Sequence, residues 1–274
     1  MTEIKAINEK EMSFFDHLEE LRWHFVRSIG AIIVGAIIFF LLKDFVFQQI
    51  IFAPKHKSFL TYQFFCGISE LTCFGPPEFD LITREMGEQF FTHLKVSIWL
   101  GFIAMFPYVF YEFWKFIEPG LYAHEKKAAG RVVLSCTLLF YAGVLFGYYI
   151  ISPFAITFLV GYQVGPDAIS SPTLASYTNY MSMFTLPTGF LFELPVLVFF
   201  LSKIGVVTPE GMRKFRKHAF VIILILAAII TPPDILTQFL IGVPIFLLYE
   251  FSIQISSRVV KSLNKKLALE AGNQ

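Results

Sequence analysis

Charge is what this sequence has least of. Asp, Glu, Lys and Arg make up 16% of its 274 residues, against about a quarter in soluble domains. The 22 basic and 21 acidic groups nearly cancel, so there is no surplus of Lys and Arg to build a face for nucleic acid, and that partner class is excluded. Catalytic signatures are missing as well. HExxH, GxSxG, a Walker A lysine loop and GxGxxG are all absent, and the six His are scattered singly, so neither an enzyme nor a cofactor is expected. Three cysteines, Cys66, Cys73 and Cys136, are no metal set, and the last sits inside an apolar run. The opening MTEIKAINEKEMSFF lacks the basic region and short apolar core of a cleaved signal peptide, so the first apolar run is expected to remain in the mature protein.

What the chain has instead is apolar mass. Hydrophobic residues make up 55%, 34 of them Phe, and mean hydropathy is +0.63. This composition predicts an all-α polytopic membrane protein, a single integral domain over residues 1–274. Six apolar runs are candidate transmembrane helices: 24–42, 90–113, 132–151, 179–201, 218–230 and 235–255. The first is close to the roughly 20 residues that cross a 30 Å hydrocarbon core, whereas the fifth, at about 20 Å, is short and the apolar part of the sixth is short too. Residues 44–89, broken by Pro54, Gly67, Gly75, Pro76 and Pro77, and residues 152–178, rich in Ser, Pro and Thr, read as extramembrane caps. Pro107 is expected to kink the second span. Lys and Arg concentrate in the N-terminal arm, in 114–131, in 203–217 and in the tail, and are absent from 152–178 and 231–237. The positive-inside rule then puts both termini in the cytoplasm.

Four stretches carry the polar chemistry. In SFFDHLEELRWHF, Phe14, Leu18, Leu21 and Phe25 recur at helical spacing, and Ser13 with Asp16 fits a capping box, predicting an amphipathic helix over 13–23 that lies along the interface before turning inward. Glu19 and Arg22 are three apart and able to pair, which leaves Glu20 free. The stretch Phe113 to Arg131 leaves the second span by a Pro119-Gly120 turn, anchors it with Phe113, Trp114 and Phe116, and presents Glu125 at the start of the third. Glu20 and Glu125 thus fall on one cytoplasmic interface that is otherwise basic, an arrangement suited to a cationic ligand, although a solvated helix face and an ordinary connector account for the same patterns. Glu193 lies ten residues before Lys203, about 15 Å into the membrane, where an ionisable group by default marks function and a structural hydrogen bond is the plainer account. Cys66 and Cys73, seven apart in the first cap, are either a small disulfide loop or two free thiols.

Together HLEELR at 17–22, FIEPGLYAHEKK at 116–127, LFELPV at 191–196 and TPPDILTQ at 231–238 resemble the TatC family, the receptor subunits of the twin-arginine translocase. The similarity spans about residues 13–257. It departs from the common pattern in the long first external loop with its two cysteines. The resemblance implies a concave bundle in the bacterial cytoplasmic (inner) membrane that binds twin-arginine signal peptides. It also implies export of folded proteins with TatA/TatB-type single-span subunits, using the proton-motive force, and homo-oligomers in contact with membrane lipid within a larger complex. On the same ground Glu20, Glu125, Arg22 and Phe116 match the signal-peptide surface. Glu193 matches an intramembrane glutamate, Thr231 and Gln238 match partner-docking positions, and Pro54 matches a loop proline.

Two other classes compete. A proton- or ion-coupled small-solute transporter would use Glu193 as a relay, but calls for an internal repeat, and 24–130 shows no convincing similarity to 131–256. A structural scaffold leaves Glu20, Glu125 and Glu193 without a use.

Overall fold

The computed structural model describes residues 14–117, 129–162, 165, 171–230 and 235–271. Among them the regular structure is helical, with one isolated parallel bridge between Ile82 and Thr173 as the only β pairing. Five segments are long and apolar enough to cross a membrane: Glu19–Leu41, Glu88–Phe116, Val132–Gly161, Leu174–Lys203 and Thr237–Lys265. Large apolar side chains such as Ile33, Val34, Ile37, Leu138 and Leu247 lie exposed along these helices. In water such a surface would drive association, whereas in lipid it is the ordinary solvent-facing wall.

The first helix, α1 (Phe14–Leu41), is one unbroken element. The expected interfacial helix over 13–23 and the span at 24–42 are therefore continuous, because nothing between Leu21 and Phe25 breaks the helix and the backbone gains a hydrogen bond at every residue by carrying on. The chain does not end its helical path at Lys43 and Asp44. A short α2 (Lys43–Phe45) and a π-helical turn, Val46–Ile51, lead into the first cap.

That cap contains α3 (Leu60–Ile68), closed by a Cys66–Cys73 disulfide. Buried Tyr62 fastens it to the bundle, donating from its hydroxyl to the carbonyls of Pro54 (3.0 Å) and Pro153 (3.3 Å). Burial pushes this phenol up to about 12, so it stays a donor at any physiological pH. Pro54 is itself buried. Buried Glu88 completes the attachment, accepting from the backbone N–H groups of Arg84 (2.7 Å), Glu85 (3.4 Å) and Ala175 (2.9 Å).

α4 (Glu88–Ile117) returns across the membrane and keeps its helical assignment through Pro107. It packs along α1 at a point where both chains are glycine. A methyl on Gly101 would lie 2.5 Å from the backbone nitrogen of Ala36, and Gly35 sits 3.1 Å from Gly101 by the same construction. Small residues at such a crossing let two backbones approach where side chains would hold them apart.

α5 (Ala129–Phe146) was expected to end near residue 151. Instead a π turn, Gly147–Ile151, carries it into α6 (Ser152–Gly161), so the second cap shrinks to the residues between Gly161 and Leu174. Pro153 reads as a breaker, yet it falls in the first turn of α6, where a missing N–H costs nothing. α7 (Leu174–Leu191) starts five residues before the expected 179 because the Thr173 hydroxyl caps it, accepting from Ser176 N–H at 3.1 Å.

The helix then breaks at Phe192 and Glu193 before α8 (Leu194–Lys203), with Pro195 in the first turn of the new helix. Gly205, at φ +79°, ends this segment, and α9 (Pro209–Lys214) is capped by Thr208. α10 (Arg216–Ile230), at 15 residues, is about 22 Å long and too short to count with the five spans. α11 (Ile235–Ala271) runs 37 residues, well past the expected end at 255. Tyr249 on α11 donates to Met212 O (2.8 Å), and Ser202 and Ser256 share a buried hydrogen bond (2.7 Å), closing the second half of the bundle.

The α1–α4 crossing gives a direct test. Gly101→Ala is expected to lower the thermal midpoint of the detergent-purified protein, by the equivalent of about 1–3 kcal/mol. Gly130→Ala, where nothing lies within 4 Å of the added methyl, is expected to leave the midpoint in place. Equal midpoints for the two variants would show that the helices do not touch at Gly101.

Candidate functional site

Helical spacing places Glu20, His24 and Arg27 along one stripe of α1, at intervals of four and three residues. That stripe faces the end of α4, and together Glu20, Trp23, His24, Arg27 and Lys115 line an open polar pocket of about 430 Å³. The charges around it are not equivalent. Glu112 is only 3% exposed, and its Oε2 accepts from His24 Nδ1 at 2.6 Å, with Arg27 Nη1 3.9 Å away. Lys115 Nζ stands 4.5 Å from the Tyr111 ring centre. Glu20 is half-buried, and its Oε2 has no hydrogen-bond partner among the described residues. The carboxylate with unmet demand is therefore Glu20, while Glu112 is already served.

Phe116 joins the same wall, its ring 6.4 Å from that of His24 in an edge-on arrangement. Arg22 is exposed, and neither it nor Glu19 forms an ion pair with the other. An exposed pair of this kind is worth about 0–1 kcal/mol, too little to hold two long side chains together. Glu125 and Pro119 lie outside the described residues, so the structure brings Glu20 and Phe116 into one neighbourhood and leaves the second carboxylate unplaced.

A second polar centre sits within the helices. Glu193 occupies the break between α7 and α8, with both carboxylate oxygens buried and, among the described residues, no partner stronger than the Cys136 thiol. Cys136, fully buried on α5, lies beside it. Gln238 is apart from this centre: its Nε2 donates to Leu224 O at 3.0 Å and ties α11 to α10. Thr231 lies outside the described residues.

Sequence reasoning missed Glu112, His24, Arg27 and Lys115. The available signal was a carboxylate inside an apolar run, which singled out Glu193 near mid-membrane. Glu112 was passed over because it stands one residue from the expected end of the second span.

Spanning helices with one unpaired carboxylate at the edge of a polar pocket and another sunk among apolar side chains define a multi-pass helical membrane protein with ionisable groups held for use. The family model for Sec-independent protein translocase protein (TatC) matches residues 16–244. The sequence is 37% identical to a TatC of Blattabacterium sp. subsp. Periplaneta americana over 93% of this chain and 98% of that one. It is also 37% identical to the TatC of Aquifex aeolicus over 93% and 100%. A crystal structure described as the twin arginine translocase receptor TatC superposes with a TM-score of 0.71 at 36% identity, covering 89% of this chain and 99% of that one. The chain belongs to the TatC family.

The Glu112 contact predicts a difference between two charge removals. Glu112→Leu, which strips His24 and Arg27 of their shared acceptor, is expected to reduce stability by about 1–3 kcal/mol. Arg22→Ala, on the exposed face, should stay within about 0.5 kcal/mol of the parent. Chemical denaturation in matched micelles measures both, and equal losses would contradict the pairing.

Proposed function

We propose that this chain is the receptor subunit of a twin-arginine translocase in a bacterial inner membrane, with both termini cytoplasmic and α10 as a short additional span. It binds twin-arginine signal peptides at its cytoplasmic face. With TatA/TatB-type partners it passes folded proteins across, driven by the proton-motive force. The observation that carries this reading is Glu20: a half-buried carboxylate, with one oxygen unmet, on the rim of a polar pocket whose basic members are otherwise engaged.

The chemistry favours arginine. Guanidinium meets a carboxylate as a planar fork of two N–H donors, which the point charge of lysine does not reproduce. Glu125, carried by the connector that follows Phe116, supplies the second carboxylate in this reading, and Phe116 and Arg22 border the same surface. Each charge pair at a wet interface contributes only about 0–1 kcal/mol. The apolar core of the signal peptide must therefore supply much of the affinity, at about 0.8 kcal/mol per buried CH₂. The two ties that hold α11 to α8 (Ser202–Ser256) and to α9 (Tyr249–Met212) do not engage Glu193 or the far side of Gln238, which in this reading serve contact with a partner's transmembrane helix.

Glu20→Gln combined with Glu125→Gln is expected to abolish export of a twin-arginine reporter while the protein still accumulates in the membrane at parental level. Undiminished export by the double variant would sink the assignment. In parallel, a photo-crosslinking signal peptide should label the purified parent, and its Lys-Lys counterpart should label it at least tenfold less. Equal labelling would point to an apolar groove without arginine selectivity.

A further inference from the structure

At the end of the bundle opposite Glu20 lies a second cleft, of about 450 Å³, where α1 gives way to α2 and the π turn and where α4 begins. It sits at the level where two of the membrane-crossing segments start and stop, next to Leu41 and Glu88. Its rim carries Lys43, Asp44, Gln48 and Gln89, and Phe90 and His93 face it from α4. The His93 ring is stacked on Phe40 at 4.1 Å and meets Phe47 edge-on at 5.6 Å, and its Nε2 has no hydrogen-bond partner.

The charges of this rim are unspent. In the neighbouring cap Lys55 pairs with Asp80 (3.5 Å) and Lys57 with Glu78 (3.7 Å). Lys43 and Asp44 form no ion pair with each other or with any described residue, and the amides of Gln48 and Gln89 make no hydrogen bonds among the described residues. The cleft's wall turns apolar at Phe90, 58% exposed, and Leu41 and Phe91, within two residues of rim positions in the chain, are exposed as well. One cation, one anion, free amides and an adjoining oily wall form the complement of a zwitterion that has a hydrocarbon tail.

We propose that this cleft holds the headgroup of an aminophospholipid of the ethanolamine class. Lys43 and the amide N–H groups of Gln48 and Gln89 take the phosphate, and Asp44 with a glutamine carbonyl takes the primary ammonium. The acyl chains lie on Leu41, Phe90 and Phe91. A choline headgroup has no N–H to give Asp44, so the site distinguishes the two lipids by hydrogen bonding rather than by charge. The proposal is independent of arginine recognition, which occupies the other end of the molecule.

The test reconstitutes the full-length protein in nanodiscs of phosphatidylethanolamine with phosphatidylglycerol, or phosphatidylcholine with phosphatidylglycerol. The protein is then extracted into mild detergent and its retained lipid counted by native mass spectrometry. The parent is expected to retain phosphatidylethanolamine at least fivefold over phosphatidylcholine, and Lys43→Gln with Asp44→Asn to lose that preference while keeping its thermal midpoint. Gln89→Ala, a milder change on α4, should weaken retention in the same direction. Millimolar glycerophosphoethanolamine or inorganic phosphate should not displace the lipid. Equal retention of the two lipids by the parent, unchanged preference in both variants, or displacement by phosphate alone would each overturn the proposal.

Discussion

The contact between α1 and α4 at Gly35 and Gly101 governs how the polar end of the molecule is assembled. Two helices held apart by larger side chains would leave Glu112 short of His24. Because the backbones touch at mid-span, the stripe of Glu20, His24 and Arg27 arrives against the last turns of α4 with a 2.6 Å hydrogen bond to spare for only one carboxylate. The close approach thus sorts the acids by partner: Glu112 is consumed by holding the helices in register, and Glu20 is left at the pocket rim. Since α1 is mostly lipid-facing, there is little other tertiary packing to impose that register.

The carboxylates as a set show the same sorting by environment. Glu88, at the opposite end, accepts from three backbone N–H groups and anchors the cap. Glu250 is bound to Arg216 at 2.8 Å and joins α10 to α11. Among the described acids Glu193 alone has both oxygens buried with only a thiol, that of Cys136, beside them, at a helix break that frees backbone around it. A buried polar group with no partner costs about 1–3 kcal/mol, and a thiol is only a weak donor to set against it. Glu88, Glu112 and Glu250 are satisfied by partners within the chain, whereas Glu20 and Glu193 are the acids proposed to meet a peptide and a partner helix.

Much of this was legible in the sequence, and the parts that were not have physical reasons. Composition alone announced the membrane, and each of the five long apolar helices contains most or all of one of the apolar runs. The helices run beyond the expected ends most clearly past 255 in α11, at Ser152-Pro153 and at Thr173. At the last two a proline was read as a break although it occupies a helix start, and a capping threonine was read as loop. Glu20 was singled out because spacing left it without an i,i+3 partner. Glu112 escaped because its importance depends on His24, 88 residues away, and no local pattern encodes that meeting. The alternative left open for Cys66 and Cys73 resolves as a disulfide because the 3-10 turn Glu70–Thr72 that follows α3 brings Cys73 back to the last turn of the helix.

The division of labour between charge and burial follows from these placements. In the role proposed for it, Glu20 meets its ligand at the end of α1, where an ion pair adds little affinity and the fork of arginine fits a carboxylate better than lysine does. The long apolar flanks of the spanning helices impose no comparable geometry, and they offer burial to any peptide with a greasy core. A receptor built this way discriminates at one end of its ligand and gains hold at the other. Selectivity for arginine can then coexist with tolerance of varied hydrophobic segments, and the two can be altered independently, since Glu20 and the lipid-facing walls of the spans share no side chain.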